Sequence, residues 1–386
     1  MSSSLAVVET QFADQFKDML ERAVGDLRAS RQEAFEFFEE KGFPTVRSED
    51  WKYTNVGVIG NETWRVSSSD RKIASIDERF ENLFKRFRFD RNGFTALNQA
   101  FAEIVTITIP KETKIEKPIE FSFTAEEGTA IFPRVLIVAE EGSKATIVET
   151  YSSPAKSFTN CAVQIVVGDN SSITHYRVQK ESPDAFHVGT TEVTLKRGSF
   201  YNSTNINLGG AISRHDIDLK FTEEGSEAFV DGLYMLNGSQ HADTHSIIDH
   251  LVPNCTSHQS YKGVLNDKSR AVFNGKVFVR ENAHGTDAQQ SNKNLLLSND
   301  ARVDTKPQLE IFNDDVKCSH GATVGQLEEE ELFYLLTRGL PENLARNLLT
   351  YGFAEEIINK IEVELIKKEL DSAVLNRLAT DLGTKI

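Results

Sequence analysis

The chain has 386 residues and a formal net charge of −15, with 43 Lys and Arg residues against 58 Asp and Glu residues. A nucleic-acid-binding surface needs clustered basic residues that release counterions from phosphates, so this charge argues against nucleic acid as a partner. Three widely spaced cysteines do not make a disulfide framework and are typical of a reducing compartment. The length allows two or three domains.

The first twenty residues contain no basic region followed by an apolar run and carry acidic residues early, which predicts a cytoplasmic protein. The longest apolar runs, such as residues 135–139, fall far below the roughly 20 residues that span a bilayer, so no membrane segment is expected. Apolar residues recur at helical spacing over residues 11–41 and end at a GFP sequence, and a second helix is predicted over residues 76–87. Residues 1–102 are therefore interpreted as an N-terminal helical region.

Short segments of alternating polarity fill residues 103–322, which we interpret as a β core. Turn-like pairs restart these segments at intervals close to 28 residues and later at about 43 and 32, which lie within the range of stacked repeats; the pairs are Gly142-Ser143, Asn170-Ser171, Gly198-Ser199, Gly225-Ser226, Lys268-Ser269 and Asp300-Ala301. A solenoid of stacked coils explains this spacing. Periodicity alone also allows an ordinary sandwich of antiparallel strands.

The period becomes helical again beyond Gly325, and residues 323–386 are interpreted as a C-terminal helical domain. Acidic residues in its first turn suit the helix dipole, and Gly339 followed by Pro341 predicts a stop and a restart. This domain is more apolar than a short pair of surface helices needs, which indicates either packing on the core or a partner surface. The residues concerned are Phe333, Leu336, Leu340, Leu344, Leu348 and Phe353.

Cys318 and His320 are the leading candidates for chemistry. Thiolate sulfur and imidazole nitrogen are ligands that suit iron, zinc and iron-sulfur clusters. They are predicted to lie where extended chain ends and a helix begins, and positions i and i+2 of an extended segment point the same way. Two ligands do not close a metal site, so a partner chain is expected to supply the others. The alternative is a buried thiol beside a capping histidine.

A second polar block, HADTHSIIDHLVPNCTSHQS, offers a different interpretation; it contains His241, Asp243, His245, Asp249, His250, Cys255 and His258. His241, Asp243 and His245 alternate onto one face, as in a cupin-like metal enzyme, for which His250 is a further candidate ligand. The other interpretation is a polar wall of a solenoid with hydrogen bonds between its coils. A β-solenoid enzyme acting on acidic polysaccharide is a further alternative, although the acidic charge argues against it.

The GVLNDKS sequence at residues 263–269 is not a phosphate-binding loop. Asp267 stands where a glycine must precede the lysine, and a carboxylate there would repel phosphate. No order of Ser, His and Asp or of Cys, His and Asn matches a nucleophile motif. The chain is therefore expected to have no nucleotide-hydrolysing machinery and no catalytic site of its own.

Two segments carry a family resemblance: RSEDWKYTNV at residues 47–56, and residues 243–353, which include CSHGATVGQL. They resemble the SufB/SufD family, the scaffold proteins of the bacterial and plastid SUF pathway for building iron-sulfur clusters. The chain is more similar to SufD-type members, because Gly321 stands where SufB-type chains typically carry glutamate and no N-terminal cysteine cluster is present. Trp51 and Tyr53 of the first segment are expected to anchor the N-terminal region onto the core.

The resemblance implies a right-handed parallel β-helix flanked by helical ends, acting as a non-enzymatic subunit. It implies a SufB-like partner at an interface holding Cys318 and His320, a SufC-like ATPase at the C-terminal helices, and a desulfurase system supplying sulfur through the complex. The iron-sulfur cluster would be transient on the complex, with no cofactor bound tightly by this chain alone. The counterpart of the Cys255 region in SufB-type chains carries a sulfur-relay thiol. Flavin use by the complex and pairing of two copies of this chain are left open.

Overall fold

The computed structural model of the chain describes residues 5–22, 27–67 and 77–380. The α-helices in these residues are α1 (Leu5–Arg22), α2 (Leu27–Lys41), α3 (Gly57–Gly60), α4 (Glu78–Lys85), α5 (Gly93–Phe101), α6 (Glu329–Thr337), α7 (Glu342–Ile358) and α8 (Glu364–Thr380). The β-strands are β1 (Arg65–Val66), β2 (Glu103–Ile109), β3 (Ile119–Thr124), β4 (Thr129–Ile131), β5 (Pro133–Ala139), β6 (Lys144–Ser152), β7 (Phe158–Val167), β8 (Ser172–Gln179), β9 (Phe186–Leu195), β10 (Phe200–Asn207), β11 (Ile212–Phe221), β12 (Glu227–Leu236), β13 (His241–His250), β14 (Thr256–Leu265), β15 (Arg270–Val279), β16 (Thr286–Leu296), β17 (Arg302–Ile311) and β18 (Val316–Gly325).

The strands form two parallel sheets that the chain visits in turn. Sheet one runs β5-β7-β9-β11-β13-β15-β17, with β1, β2 and β4 at its beginning, and sheet two runs β3-β6-β8-β10-β12-β14-β16-β18. Each coil therefore adds one strand to each sheet, giving a parallel β-solenoid of about eight turns. The solenoid prediction is confirmed, and the antiparallel sandwich is excluded because neighbouring strands such as β9 and β11 pair in parallel.

One left-handed residue, with φ between 55° and 78°, stands at each of the six consecutive corners from β5–β6 to β15–β16, where the chain passes from sheet one to sheet two; these residues are Gly142, Asn170, Gly198, Gly225, Asn254 and Gly285. Asn170 and Gly198 are stacked so closely that a Cβ on Gly198 would lie 2.7 Å from Asn170 Oδ1. The first four predicted turn pairs lie at this corner, whereas Lys268-Ser269 and Asp300-Ala301 lie at the opposite one. The interval of about 43 residues therefore covers roughly one and a half coils, not one long repeat.

The space between the two sheets, which we call the lumen, is divided lengthwise into an apolar and a polar half. Branched and aromatic side chains such as Ile147, Ile165 and Leu219 fill the half beside the glycine-rich corner. The other half holds buried polar side chains, among them Arg177, His187 and Asn292. Side chains in register on successive parallel strands lie directly above one another, so polar groups can bond along the solenoid axis.

The N-terminal helices cover the outer face of sheet one. A cluster of buried aromatic rings joins them to the strands; it includes Phe12, Phe38, Trp51, Phe94, Phe101, Phe132, Phe158 and Phe186. The helix predicted over residues 11–41 is two helices, α1 and α2, and α1 already begins at Leu5. The helix predicted over residues 76–87 is α4, whose N-cap Asp77 accepts a hydrogen bond from Arg79 N, while residue 76 lies outside the described residues.

The C-terminal helices α7 and α8 return along the outer face of sheet two. Buried side chains of these helices, including Ile357 and Leu370, form one apolar cluster with side chains from five consecutive strands of that sheet, from Val148 of β6 to Val264 of β14. Strand β18 continues to Gly325, so the predicted boundary after residue 322 falls inside this strand. Within the described ranges, no helix has both the length and the apolar character needed to cross a membrane.

Candidate functional site at the open end of the solenoid

The last coil ends in two strands that each have a neighbour on one side only. Strand β17 pairs with β15 and strand β18 pairs with β16, and neither has a second strand partner among the described residues. Each is 10 residues long. Unpaired backbone N–H and C=O groups on such edges are a template for another chain. Because β17 and β18 are the last strands of their sheets and the lumen-facing His320 is exposed, the lumen is open at this end.

Cys318 and His320 lie on β18 and face the lumen. They stand in register with Ala288 and Gln290 of β16, whose side chains are buried there. Cys318 is half-buried against the apolar half of the lumen, and His320 is exposed. Their same-side orientation is the one that the i, i+2 spacing predicts. Helix α6 begins only at Glu329, so the pair lies within a strand and not at a strand-to-helix junction.

The chemistry of this pair suits partial coordination of a metal. Burial raises the pKa of the Cys318 thiol, and Asp287 opposes ionisation further, so a metal or a positive neighbour is needed to hold the thiolate. Among residues that the structure describes, no group of three or more His, Cys, Asp or Glu side chains is arranged to hold a metal ion. The open end thus supplies two potential ligands of the four that a closed site normally needs.

The predicted partner surface on the C-terminal helices divides into an exposed part and a packed part. Leu336 is 37% exposed and Leu340 is half-buried, whereas Phe353 packs beside Lys262, whose Nζ lies 4.4 Å from the ring centroid. Phe353 therefore belongs to the attachment of α7 to sheet two. The exposed part, which we call the α6–α7 apolar surface, consists of Phe333, Tyr334, Leu336, Leu344 and Leu348.

The block of residues 241–258 forms no single site. His241, Asp243 and His245 face the outside of sheet one, whereas His250 faces the lumen, stacks on Phe221 with 4.3 Å between ring centroids and contacts Ser257 Oγ at 2.8 Å. The three histidines of a cupin-like site are thus on opposite faces of one strand. The prediction of polar residues lining a solenoid wall agrees better with these contacts.

The outward carboxylate of Asp243 contacts the WKYT segment and two charged or ionisable neighbours. Asp243 accepts a hydrogen bond from Thr54 Oγ1 at 2.5 Å and from Arg214 Nη1 at 2.7 Å, and His245 Nε2 lies 3.0 Å from its other oxygen. Burial would raise the pKa of Asp243, but the charges of Arg214 and His245 outweigh it and lower that pKa well below its ordinary value. This wall anchors the N-terminal segment.

The anchor is completed by an aromatic ring. Trp51 is 3% exposed and stacks on Phe94 of α5, while the Arg214 guanidinium carbon lies 3.8 Å from its ring centroid. Arg214 also donates to the backbone carbonyl of Asp50 at 2.6 Å. The predicted anchoring role of Trp51 agrees with these contacts.

The remaining members of the block are structural in this fold. Asp249 pairs with Arg280 at 2.7 Å, and His258 lies 3.7 Å from Asp287 on the surface. Cys255 is buried at a corner, where its Sγ lies 3.3 Å from the carbonyl oxygen of Pro253 and burial raises the pKa of the thiol. A relay role for Cys255 has no support in these contacts.

The lumen also contains an ionisable cluster that the sequence interpretation missed. Cys161 Sγ lies 3.5 Å from His187 Nε2, and His187 Nδ1 lies 2.8 Å from Glu181 Oε2. Burial would lower the pKa of His187, but Glu181 and Cys161 outweigh it and raise that pKa to about 9. Arg177 and a further pair, Glu149 with His175, complete what we call the interior cluster. Polar residues at alternate positions of successive strands are the signal that could have revealed it.

Comparison with known proteins identifies the family. A family model described as "SUF system FeS cluster assembly, SufBD core domain" matches residues 121–353, and one described as "SufBD protein N-terminal region" matches residues 7–85. The chain is 31% identical to the iron-sulfur cluster assembly protein SufD of Escherichia coli over 379 residues, which cover 87% of this chain and 90% of that protein. It is 30% identical to SufD of Bacillus subtilis over 299 residues, covering 74% and 67%.

A SufBD family protein of Synechocystis is 38% identical over 295 residues, which cover 73% of this chain and 65% of the relative. The chain therefore spans about two thirds of that cyanobacterial protein and nine tenths of the Escherichia coli one. Neither the polysaccharide-acting enzyme nor the cupin-like enzyme finds support among these matches. The chain belongs to the SufBD family, has homologues named SufD, and takes part in iron-sulfur cluster assembly.

Proposed function

We propose that this chain is a SufD-like, non-enzymatic scaffold subunit, which pairs with a SufB-like subunit at its open end and offers Cys318 and His320 to a nascent iron-sulfur cluster. The cluster is cargo of the complex and not a resident cofactor of the chain. The observation that carries the proposal is a thiol and an imidazole facing the lumen on β18, which has no outer neighbouring strand in the part of the chain that the structure describes. Three free cysteines suit work in a reducing cytoplasm.

The incomplete ligand set supports a two-chain site. A tetrahedral iron environment needs about four ligands, and this chain offers two at the open end. A SufB-like chain presenting similar strands could add its own backbone edge to β17 or β18 and bring further thiols or imidazoles. In isolation the same edges allow two copies of this chain to pair, which makes a homodimer the expected state without partners.

The α6–α7 apolar surface is proposed to bind a SufC-like ATPase. Helix α6 has no buried residue, and Phe333 is 67% exposed, so no described part of the chain covers this surface. The far end of α7 is tied to sheet two, where Lys262 donates to the carbonyl of Phe353 at 3.1 Å and Lys360 pairs with Asp231 at 2.9 Å. Movement of an ATPase at one end would therefore reach the solenoid through a rigid helix.

The ligand proposal is tested by co-expressing the chain with SufB-like and SufC-like partners and measuring iron and acid-labile sulfide in the purified complex. Cys318→Ala and His320→Ala are expected to lower cluster content without preventing assembly, which native mass spectrometry would verify. Ser319→Ala is the matched control, because Ser319 lies between them on β18 and alternates to the other face. Unchanged cluster content in both variants would contradict the proposal.

The ATPase proposal is tested by the double substitution Phe333→Ser with Leu344→Ser, followed by capture of the SufC-like partner. The expected result is loss of capture with an unchanged solenoid, because both side chains are exposed. Leu365→Ser is the control, since Leu365 on α8 is 79% exposed but lies outside the α6–α7 apolar surface. Loss of capture in the control, or retention in the double variant, would move the site elsewhere.

A further inference from the structure

Gln290 lies in the lumen one strand below His320. The two residues are in register across β16 and β18, and neighbouring parallel strands are about 4.8 Å apart, so both side chains leave the sheet on the same side. Gln290 is 3% exposed, whereas His320 is exposed. Gln290 is therefore the buried residue directly in register with His320 on the neighbouring strand.

The amide of Gln290 has one group bonded and one group free. Its Nε2 donates to Gln259 Oε1 on the next strand down at 2.6 Å. Its Oε1 has no hydrogen-bond partner among the described residues, and the same holds for Gln259 Nε2. A buried amide oxygen without a donor is unfavourable, and native proteins usually provide one. The free acceptor belongs to the residue of this column that is in register with the last strand.

The facing sheet holds this amide in place. Gly275 of β15 is opposite Gln290, and any Cβ at position 275 would overlap Nε2 and Cδ of the amide. A glycine at this position leaves just enough room for the amide to lie across the lumen. Because Nε2 is bonded to Gln259, a fixed amide keeps Oε1 as the group available to a new donor.

We propose that Gln290 is a positioning residue for His320: its Oε1 accepts the N–H of one ring nitrogen and leaves the other nitrogen unprotonated for a metal. This inference rests on the proposed function of His320 and deepens it. A neutral imidazole carries one N–H and one lone pair, and the partner of the N–H decides which nitrogen can bind a metal. Cys318 stands above Ala288, which offers no such group.

The first test reads the tautomer of His320 directly in the full chain. Histidine-selective ¹⁵N labelling and NMR should show one dominant tautomer in the wild type and a mixture in Gln290→Met, a variant of similar size without the acceptor. Gln290→Glu, which keeps an acceptor oxygen, should restore a single tautomer. His320→Ala assigns the signals. The same tautomer ratio in the wild type and Gln290→Met would overturn the proposal.

The second test measures cluster content in the complete complex. Side chains that hydrogen-bond to metal-binding histidines typically contribute 10- to 100-fold to metal affinity or activity, so Gln290→Met should lower cluster content or its rate of formation about tenfold. Gln290→Met combined with His320→Ala should be no worse than His320→Ala alone, because Gln290 acts through His320. A further loss in the double variant would mean a purely structural role and would contradict the proposal.

These experiments distinguish failure of the proposed ligand role of His320 from failure of the positioning role of Gln290. If His320→Ala leaves cluster formation unchanged, the proposed ligand role of His320 fails, whatever Gln290 does. If His320→Ala lowers cluster formation but Gln290→Met changes neither the tautomer nor the yield, only the positioning role fails. The thermal midpoint of each variant, measured on the isolated chain, shows whether a lower yield reflects loss of folded protein.

Discussion

The lumen contains two cysteine–histidine pairs in opposite environments. Cys161 and His187 are buried between sheets with strands on both sides, and their polar atoms are engaged by Arg177 and Glu181. Cys318 and His320 lie on the last strand, half-buried and exposed. The same residue types are thus a closed ionic cluster in the middle of the stack and an unfilled ligand set at its end. Position in the stack, not residue type, distinguishes them.

The physical cause is the number of neighbouring strands. An inward side chain in a middle coil has in-register side chains above and below it, and these satisfy its hydrogen bonds. An inward side chain on β18 has them on one side only. Its remaining lone pairs or protons are available to a partner.

The largest expected difference between the pairs is in thiol reactivity. Cys318 should react with a water-soluble disulfide reagent on the order of a hundredfold or more faster than Cys161 and Cys255, because the latter two react only after the solenoid opens. Burial raises the pKa of Cys318, so its rate should increase with pH through neutrality. Stopped-flow absorbance of the folded chain measures one fast thiol and two slow ones.

The control for this measurement is Cys318→Ala, which should remove the fast phase alone. A fast phase that survives this substitution would mean that a lumen thiol is accessible in the folded chain. The comparison between the two pairs would then lose its basis.

The second difference is in stability. His187→Ala leaves Glu181 buried without its cationic partner and should reduce the free energy of unfolding by about 3–5 kcal/mol. His320→Ala should change it by less than about 0.5 kcal/mol, because that side chain is exposed. Urea denaturation followed by circular dichroism measures both. Similar losses in the two variants would show that the open end is as tightly packed as the middle.

The two pairs also differ in the glycine beside each of them. A Cβ on Gly189 would lie 3.0 Å from Cys161 Sγ and from Arg177 Nη2, so Gly189→Ala should cost about 1–3 kcal/mol through overpacking. Gly321 has nothing within 4 Å of such a Cβ, and Gly321→Ala should be nearly neutral. Thermal unfolding of the two variants provides the comparison. A neutral Gly189→Ala would indicate that the interior cluster can shift at little cost.

The smallest expected effect is a loss of thermal stability at acid pH. Burial would raise the pKa of Glu181, but His187 outweighs it and lowers that pKa. The resulting stability is present above the unfolded pKa of about 4.3 and is lost as pH falls through the folded value. The thermal midpoint should therefore fall more steeply between pH 5 and pH 3 in the wild type than in Glu181→Gln. Parallel curves would assign the acid sensitivity to other carboxylates.

Alternation in the sequence predicts the orientation of the candidate ligands, because that depends on a short-range pattern. The repeat spacing was compatible with a solenoid, but only the family resemblance favoured it over an antiparallel sandwich. Alternation places Cys318 and His320 on one face, and the same parity separates His241 and His245 from His250. It does not say which face is inside, since β13 is buried on both: the WKYT segment covers its outer face.

Side-chain contacts between neighbouring coils could not be predicted from the sequence. The approach of Cys161 to His187 depends on the register of two strands joined by a coil, and coil lengths vary too much to fix that register in advance. The division of the C-terminal helices was hidden for a related reason. Phe333 and Phe353 are the same residue type, and both lie in segments with helical spacing of apolar residues. Only the path of α7 across sheet two leaves Phe333 exposed and Phe353 packed.

The path of α7 and α8 across sheet two has a mechanical consequence. A stack of coils held only by nearest neighbours can fray from a free end, one coil at a time. Here the segment that follows β18 runs back along the solenoid as α7 and α8. Its buried side chains form one apolar cluster with five earlier strands, from Val264 of β14 to Val148 of β6. Unfolding of the last coil would therefore also weaken the contacts of α7 and α8 with the middle coils. A solenoid tied in this way should open as one cooperative body and keep its terminal strands firm.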